Sequence, residues 1–373
     1  MNVEKLILPI VDLTLSAILA HFNYRKVSSV HAARKERQNY KAIVLSNFYI
    51  RTLIFVVCFN LASCASVVSR FIEQSESFDY LNSISDKQIA DLGFVEAQFC
   101  LNNQKPCISY FTAKPIASKR ISYTTELASN RGSSLVSLSL ERNEVPEGLR
   151  GTVVLLHGFR ASKEFMLNSA LYFRFLGFNV VIPDLLGHGE SGGEKQYGVG
   201  DAEIINALID QQIKVAKESN AVGAGAEKLY VLGNSMGSIA ALHLSQMRED
   251  ITGIILQAPM LKFDLAVNNY INANTPLLAR FFTESTIEQA AIQSLQRANV
   301  TLEQTDTRLL ISGSNQPVLL FASNADAVAP YSNFVQLASS RVNIVQVQQR
   351  NHPSMAVIGD SDSNELLHWL SKH

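Results

Sequence analysis

Gly233-Asn234-Ser235-Met236-Gly237 lies between the runs Leu229-Tyr230-Val231-Leu232 and Ser238-Ile239-Ala240-Ala241-Leu242. An apolar, β-favouring run stops at a Gly-x-Ser-x-Gly turn, and a small-residue helical pattern starts at once. This is the context that a nucleophile elbow needs. A serine on a sharp, strained turn requires residues two before and two after it that are too small to clash, and Gly233 and Gly237 meet that requirement. The helix opening behind Ser235 aims free N–H groups and the positive end of its dipole at charge developing on an attacked carbonyl.

Outward from the elbow, Thr152–Leu156, Asn179–Ile182, Leu229–Leu232, Gly253–Leu256, Val318–Ala322 and Val342–Val347 are apolar without alternation. Strands of that kind must be covered on both faces, so a parallel sheet between helical layers is expected. Helices are expected over Lys163–Phe175, Ala202–Glu218, Ser238–Met247, Tyr331–Ser339 and Ser363–Ser371. In the second of these Ile204, Ile205, Leu208, Ile209 and Ile213 form one apolar stripe. Ile108–Phe111, Ile121–Thr124 and Leu135–Leu140 alternate, and read as antiparallel strands leading into the sheet. Between Ala258 and Arg308 the rhythm pauses in a mostly helical insertion, with Leu277, Leu278, Phe281 and Phe282 as its apolar residues.

Three further segments accompany the elbow: Leu155-Leu156-His157-Gly158-Phe159, Pro183-Asp184-Leu185-Leu186-Gly187-His188-Gly189-Glu190-Ser191-Gly192-Gly193, and Tyr197-Gly198. With them the chain from Ile108 to its end resembles an α/β-hydrolase. The pattern is nearest to monoacylglycerol lipases, lysophospholipases and the serine aminopeptidase-like group. The resemblance implies an α/β fold with a mostly parallel central sheet flanked by helices, residues 259–308 forming a small cap. Such enzymes carry an arginine where this chain has Leu185 or Leu186, a change that touches loop packing rather than chemistry.

A serine hydroxyl is a poor nucleophile until a base takes its proton, and that base must be held in one tautomer by a carboxylate. In this fold the order is serine, acid, histidine. The resemblance assigns the acid to Asp326, after Val318–Ala322, and the base to His352, after Val342–Val347. Asp184, Asp201 and Asp306 compete as carboxylates; Asp184 precedes the serine and is given a loop-holding role. His157 is expected to orient the oxyanion turn and His188 to pack its own loop. The oxyanion donors are expected to be the backbone N–H groups of Met236 and Phe159.

The 373-residue chain is 47% apolar with a net charge of −1. That balance gives no reason to expect a nucleic-acid partner. The sequence has no phosphate loop and no Cys/His cluster with zinc spacing, and nothing in it calls for a metal or cofactor. The leading expectation is therefore a serine hydrolase acting on an uncharged or lipid-like ester. An amidase or aminopeptidase uses the same machinery, and a non-catalytic, membrane-tethered binding module would keep the fold alone.

Residues 1–64 read as a leader. A basic stretch runs from Arg25 to Lys41, then Arg51 precedes the apolar Thr52–Leu61, which ends in Leu61-Ala62-Ser63-Cys64. This resembles the lipobox of bacterial lipoproteins, in which the chain is cut before a cysteine that carries the lipid; the alternative is a plain apolar anchor. Leaders of this kind span about 15–30 residues, so either translation starts near Val44 or Leu45 or the long leader is real. Ala65, rather than an aspartate, follows the cysteine, which under the resemblance leans towards the outer membrane. Residues 65–107 are expected to be a serine-rich tether and N-terminal extension, with 108–373 the hydrolase domain. Cys100 and Cys107 flank a turn; an exported chain would bridge them, and a reduced one would leave two thiols.

Overall fold

Six apolar strands with no polar face need helices on both sides, and the chain supplies one after nearly every strand. The computed structural model describes residues 64–74, 84–218, 228–275, 279–280 and 282–373. Its elements are α1 (Cys64–Glu73), α2 (Asp86–Asp91), β1 (Val95–Cys100), β2 (Cys107–Ala113), β3 (Arg120–Ser129), β4 (Gly132–Glu141), β5 (Gly151–Leu156), α3 (Leu167–Leu176), β6 (Phe178–Pro183) and α4 (Asp201–Glu218). There follow β7 (Leu229–Asn234), α5 (Gly237–Met247), β8 (Ile251–Gln257), α6 (Phe263–Asn274), α7 (Glu284–Arg297), α8 (Thr307–Ser312), β9 (Val318–Ser323), β10 (Val342–Val347) and α9 (Asp360–Lys372).

Eight of the strands form one sheet in the order β1-β2-β6-β5-β7-β8-β9-β10. β1 and β2 pair antiparallel, β2 pairs antiparallel with β6, and every pairing from β6 to β10 is parallel. The chain leaves β5 for one side of the sheet and returns at β7 on the other. The carboxyl ends of these two strands therefore flank a switch point, the place where open α/β sheets bind ligands. Ser235 follows β7, and Phe159 follows β5 at that point. Strand order, handoff between helices and the turn at Ser235 define the α/β-hydrolase fold, with the segment between β8 and β9 as its helical insertion.

Several elements depart from the expectations. β3 and β4 form a separate two-stranded sheet instead of joining the main one. Alternation announces one buried face but not which body covers it; here Val136, Leu138 and Leu140 are buried while the residues between them face outward. Tyr331–Ser339 is two short 3-10 turns rather than a helix, because a nine-residue stretch with Ser332 and Asn333 near its start cannot sustain an α-nucleus, and buried Phe334 pins it instead. Lys163–Met166 is 3-10, so the first helix starts at Leu167.

Part of the expected tether is folded. α1 buries Ala65 (1% exposed), Val68 (6%) and Ile72 (5%) in the core. Its serines, which read as linker polarity, sit against α7: Ser69 Oγ lies 3.0 Å from Ser294 Oγ, and Ser66 Oγ donates to Gln293 at 3.1 Å. Arg297 donates to both Ser69 Oγ and Glu73. Further on, Ser85 and Gln88 close a capping box at the start of α2. Cys100 and Cys107 face each other across β1 and β2 and form a disulfide. Residues 1–63, with the basic stretch and Thr52–Leu61, lie outside the described residues, as do Leu277, Leu278 and Phe281. Among the described residues no helix is long and apolar enough to cross a membrane.

Candidate active site

The turn between β7 and α5 puts Ser235 at φ +50°, a left-handed conformation that costs a non-glycine residue about 1–2 kcal/mol. Its surroundings hold it there. The Ser235 N–H donates to Gln257 O at 3.0 Å, and Ser235 O accepts from the N–H of Ser238 (3.0 Å) and Met260 (3.2 Å). A Cβ on Gly233 would fall 2.5 Å from Gly237 O, and one on Gly237 only 2.2 Å from Leu156 O. Both glycines are thus dictated by backbone crowding on the two sides of the serine.

The structure brings His352 and Asp326 to Ser235. His352 Nε2 stands 3.0 Å from Ser235 Oγ, and its Nδ1 stands 2.7 Å from Asp326 Oδ2. Asp326 is fully buried and His352 half-buried. The other oxygen of Asp326, Oδ1, accepts the N–H groups of Val328 (2.8 Å) and Ala329 (2.9 Å). One carboxylate oxygen is therefore committed to the backbone, which aims the other at the imidazole.

The loop bearing His352 is clamped by residues that the sequence did not single out. Asn351 donates its backbone N–H to Ser134 Oγ (2.9 Å) and its amide to Leu127 O (2.8 Å) and Gly132 O (3.2 Å) on the β3–β4 hairpin. Buried Arg350 donates to Asp362 Oδ2 at 2.8 Å and to Ser354 O at 2.8 Å. The hairpin that stays out of the sheet thus serves as a brace for the histidine loop.

On the opposite side of Ser235 lies the turn after β5. An ideal Cβ on Gly158 would be 3.1 Å from Ser235 Cβ, so a side chain here would crowd the serine, and the glycine lets the backbone that carries Phe159 approach without displacing it. Met236, the other expected donor, is buried at the start of α5. His157 Nε2 accepts the Leu185 N–H at 3.0 Å, which leaves its proton on Nδ1 to donate to Gly158 O at 2.8 Å. Burial lowers its pKa against the pull of Asp184, so the ring is neutral and ties two loops together.

The competing carboxylates are engaged elsewhere. Asp184 accepts from Lys163 N–H (2.6 Å), Lys163 Nζ (3.0 Å) and Glu190 N–H (3.0 Å). Asp201 accepts the N–H groups of Leu186 (2.7 Å) and Gly198 (2.8 Å); burial pushes it up to about 6 against those two bonds. Asp306 caps α8 and pairs with Arg308. His188 is buried, with Nδ1 3.0 Å from Leu186 O and no partner for Nε2 among the described residues; burial and the neighbouring His157 push it down to about 3.

Phe159 is half-buried in an aromatic group. It stacks on Tyr197 at 6.4 Å and meets Phe263 of the insertion edge-on at 6.5 Å. The insertion also reaches the acid loop, where Asn269 donates to Val328 O at 3.0 Å. Two cations gather at the same place: Arg160, the next residue, and Lys195, whose Nζ lies 5.3 Å over the Phe159 ring.

Parts of this chain are similar to known proteins. A family model described as serine aminopeptidase, S33, matches residues 147–329, a span that holds Ser235 and Asp326 but not His352. A caffeoylshikimate esterase from Arabidopsis thaliana is 30% identical over 115 residues, which are 30% of this chain and 34% of that protein. The match thus spans about a third of that relative's length. Among solved structures, an esterase from Pyrococcus furiosus is 16% identical with a TM-score of 0.44, covering 68% of this chain and 90% of that one. A putative lipase from Acinetobacter baumannii is 14% identical with a TM-score of 0.46, covering 80% and 98%.

Proposed function

We propose that this protein is a serine hydrolase that cleaves a carboxylic ester, either a lipid-like ester or a small acyl ester, through an acyl-enzyme intermediate. The observation that carries the reading is the line Ser235 Oγ, His352, Asp326, with contacts of 3.0 and 2.7 Å and the acid fully buried. His352 Nε2 takes the Ser235 proton as Oγ attacks the carbonyl carbon. Asp326 Oδ2 accepts the Nδ1–H and stabilises the imidazolium that forms. The oxyanion is met by the N–H groups of Met236 and Phe159, and losing one such donor costs roughly 3 kcal/mol in the barrier. Collapse passes the proton from His352 to the leaving alcohol. A water molecule, deprotonated by the same imidazole, then releases the acid and frees Ser235.

The matched family description keeps an amidase or aminopeptidase activity as the second reading; a panel of matched esters and amides separates the two. A fluorophosphonate probe tests the reading itself. It should label the wild-type protein and leave Ser235→Ala unlabelled, and Ser235→Ala should lose all but a few per cent of esterase activity. An unlabelled wild type would leave only a binding module of this fold.

We also propose a bacterial cell-envelope location, with a lipid anchor at Cys64 and the outer membrane preferred to the inner. The leader pattern supports it, and so does the Cys100–Cys107 disulfide, a bond that persists in oxidising compartments. Intact mass of the membrane-extracted protein should show a chain that begins at an acylated Cys64. A mature chain retaining Arg51 would refute the lipid anchor.

A further inference from the structure

α1 is ten residues long, and two of its sides are in use. Ala65, Val68 and Ile72 pack in the core, while Ser66, Ser69 and Glu73 meet Gln293, Ser294 and Arg297 on α7. The third side is apolar and faces outward: Val67 is 51% exposed and Phe71 49%. One exposed apolar side chain needs no explanation. Here two stand on successive turns of one face, with exposed Arg70 at its edge, in the helix where the chain is proposed to carry its lipid. At about 100° per residue, positions 64, 67 and 71 fall within about 60° of one another around the helix axis. α1 is too short to span a bilayer, whose core takes about 20 helical residues. With two sides committed to the protein, it has one side left to offer.

We propose that this side of α1 is a docking surface for a phospholipid leaflet. Val67 and Phe71 enter the boundary between headgroups and acyl chains, and Arg70 at the rim pairs with lipid phosphate. The proposal rests on the lipid anchor, because a lipid carried at position 64 holds a leaflet against this side of the helix. Docking also sets where the ester comes from. Glu73 O, at the end of α1, accepts from Lys195 Nζ at 2.9 Å, and that Nζ lies 5.3 Å over the Phe159 ring. Ser294, which meets Ser69, also meets the hydroxyl of Tyr197, the ring stacked on Phe159. The docked helix is thus joined to the oxyanion turn through Lys195 and Tyr197. The ester favoured is an acyl lipid lying in the same leaflet.

The test places a reporter on the face. Phe71→Trp in the full chain, reconstituted in vesicles of phosphatidylethanolamine and phosphatidylglycerol, is read against the wild type, whose single tryptophan, Trp369, is buried. Emission of the new indole should shift to the blue relative to the detergent-solubilised protein, and brominated acyl chains should quench it by roughly half or more. Val215→Trp, at a similarly exposed position on α4, should keep its emission. An indole at 71 that neither shifts nor is quenched, in a protein that floats with the vesicles, overturns the docking surface and leaves the anchor standing. Quenching at 215 equal to that at 71 overturns it too. So does blue emission already present in detergent that grows with protein concentration, the mark of a second copy on this face. A protein that does not float brings down the anchor and the docking surface together. Activity gives a second readout. Val67→Ser/Phe71→Ser should lower kcat/KM roughly tenfold on mono-oleoyl glycerol in those vesicles and leave para-nitrophenyl butyrate in solution unchanged. In a variant that melts as the wild type does, an equal fall on both substrates, or a fall on neither, overturns the proposal. A wild type that turns over neither ester refutes the hydrolase reading instead, and quenching then decides the docking surface.

Discussion

Asp326→Asn is the sharpest test of the site because the structure dictates how the amide must sit. Asp326 Oδ1 accepts two backbone N–H groups, from Val328 and Ala329. In the variant only the carbonyl oxygen can keep those bonds, since an NH₂ there would point hydrogens at two donors. The NH₂ group is therefore forced into the place of Oδ2, 2.7 Å from His352 Nδ1. It can only donate, so Nδ1 must accept, and the imidazole proton moves to Nε2. That nitrogen faces Ser235 Oγ at 3.0 Å and can no longer take its proton. The same swap in a well-studied triad cost ~10⁴ in kcat, which is about 5 kcal/mol in the barrier. Because both backbone bonds survive, thermal stability should barely change. Steady-state hydrolysis of a para-nitrophenyl ester, the rate of fluorophosphonate labelling and a melting curve measure all three quantities. An Asp326→Asn enzyme within tenfold of wild type would refute the tautomer argument and point to another carboxylate.

Three further outcomes follow from the geometry. Gly237→Ala should destroy the elbow, since its Cβ would stand 2.2 Å from Leu156 O with backbone on both sides; loss of labelling in a protein that still melts cooperatively, or failure to fold, checks it. Opening the Cys100–Cys107 disulfide by Cys107→Ser should cost about 2 kcal/mol, the chain-entropy value for so short a loop, as read by urea unfolding. His188 is held down to about 3 in the fold, whereas an unfolded imidazole protonates from about 6.5. The unfolded chain thus binds the extra proton between those values, and stability is lost as pH falls through that window. His188→Phe should flatten the acid limb of a melting-temperature profile, and an unchanged limb would mean the ring is not buried neutral.

What the sequence disclosed was mostly local. The elbow needs two glycines at fixed spacing from one serine, a pattern that a five-residue window contains even though only the crowding at Gly233 arises within the turn, that at Gly237 coming from Leu156 on β5. The parallel sheet was legible because strands with two buried faces carry no alternation. Residues whose meaning depends on distant partners were not. Ser66 and Ser69 read as linker polarity, yet their partners Gln293 and Ser294 lie more than two hundred residues away. The alternation of Ile121–Thr124 and Leu135–Leu140 showed that one face is covered, but not that the cover includes the loop of Asn351. Arg160 and Lys195 escaped notice for the same reason: they stand apart in the sequence and come near each other only where two loops meet at Phe159.

α1 changes the picture of how the protein would work at a membrane. A flexible linker of n residues lets a domain roam about 5–6 Å × √n from its attachment point, sampling solution and neighbouring surfaces. Here Ala65, the residue after the proposed acylated cysteine, is already packed in the core, and α1 is bolted to the insertion helix α7 through Ser69 and Arg297. The leash has no length. An enzyme fixed in this way would crawl rather than fish: its supply of ester would be set by how many such molecules lie in the patch of lipid beneath it. Turnover would then scale with their mole fraction in that leaflet, and adding more vesicles of the same composition would leave it unchanged.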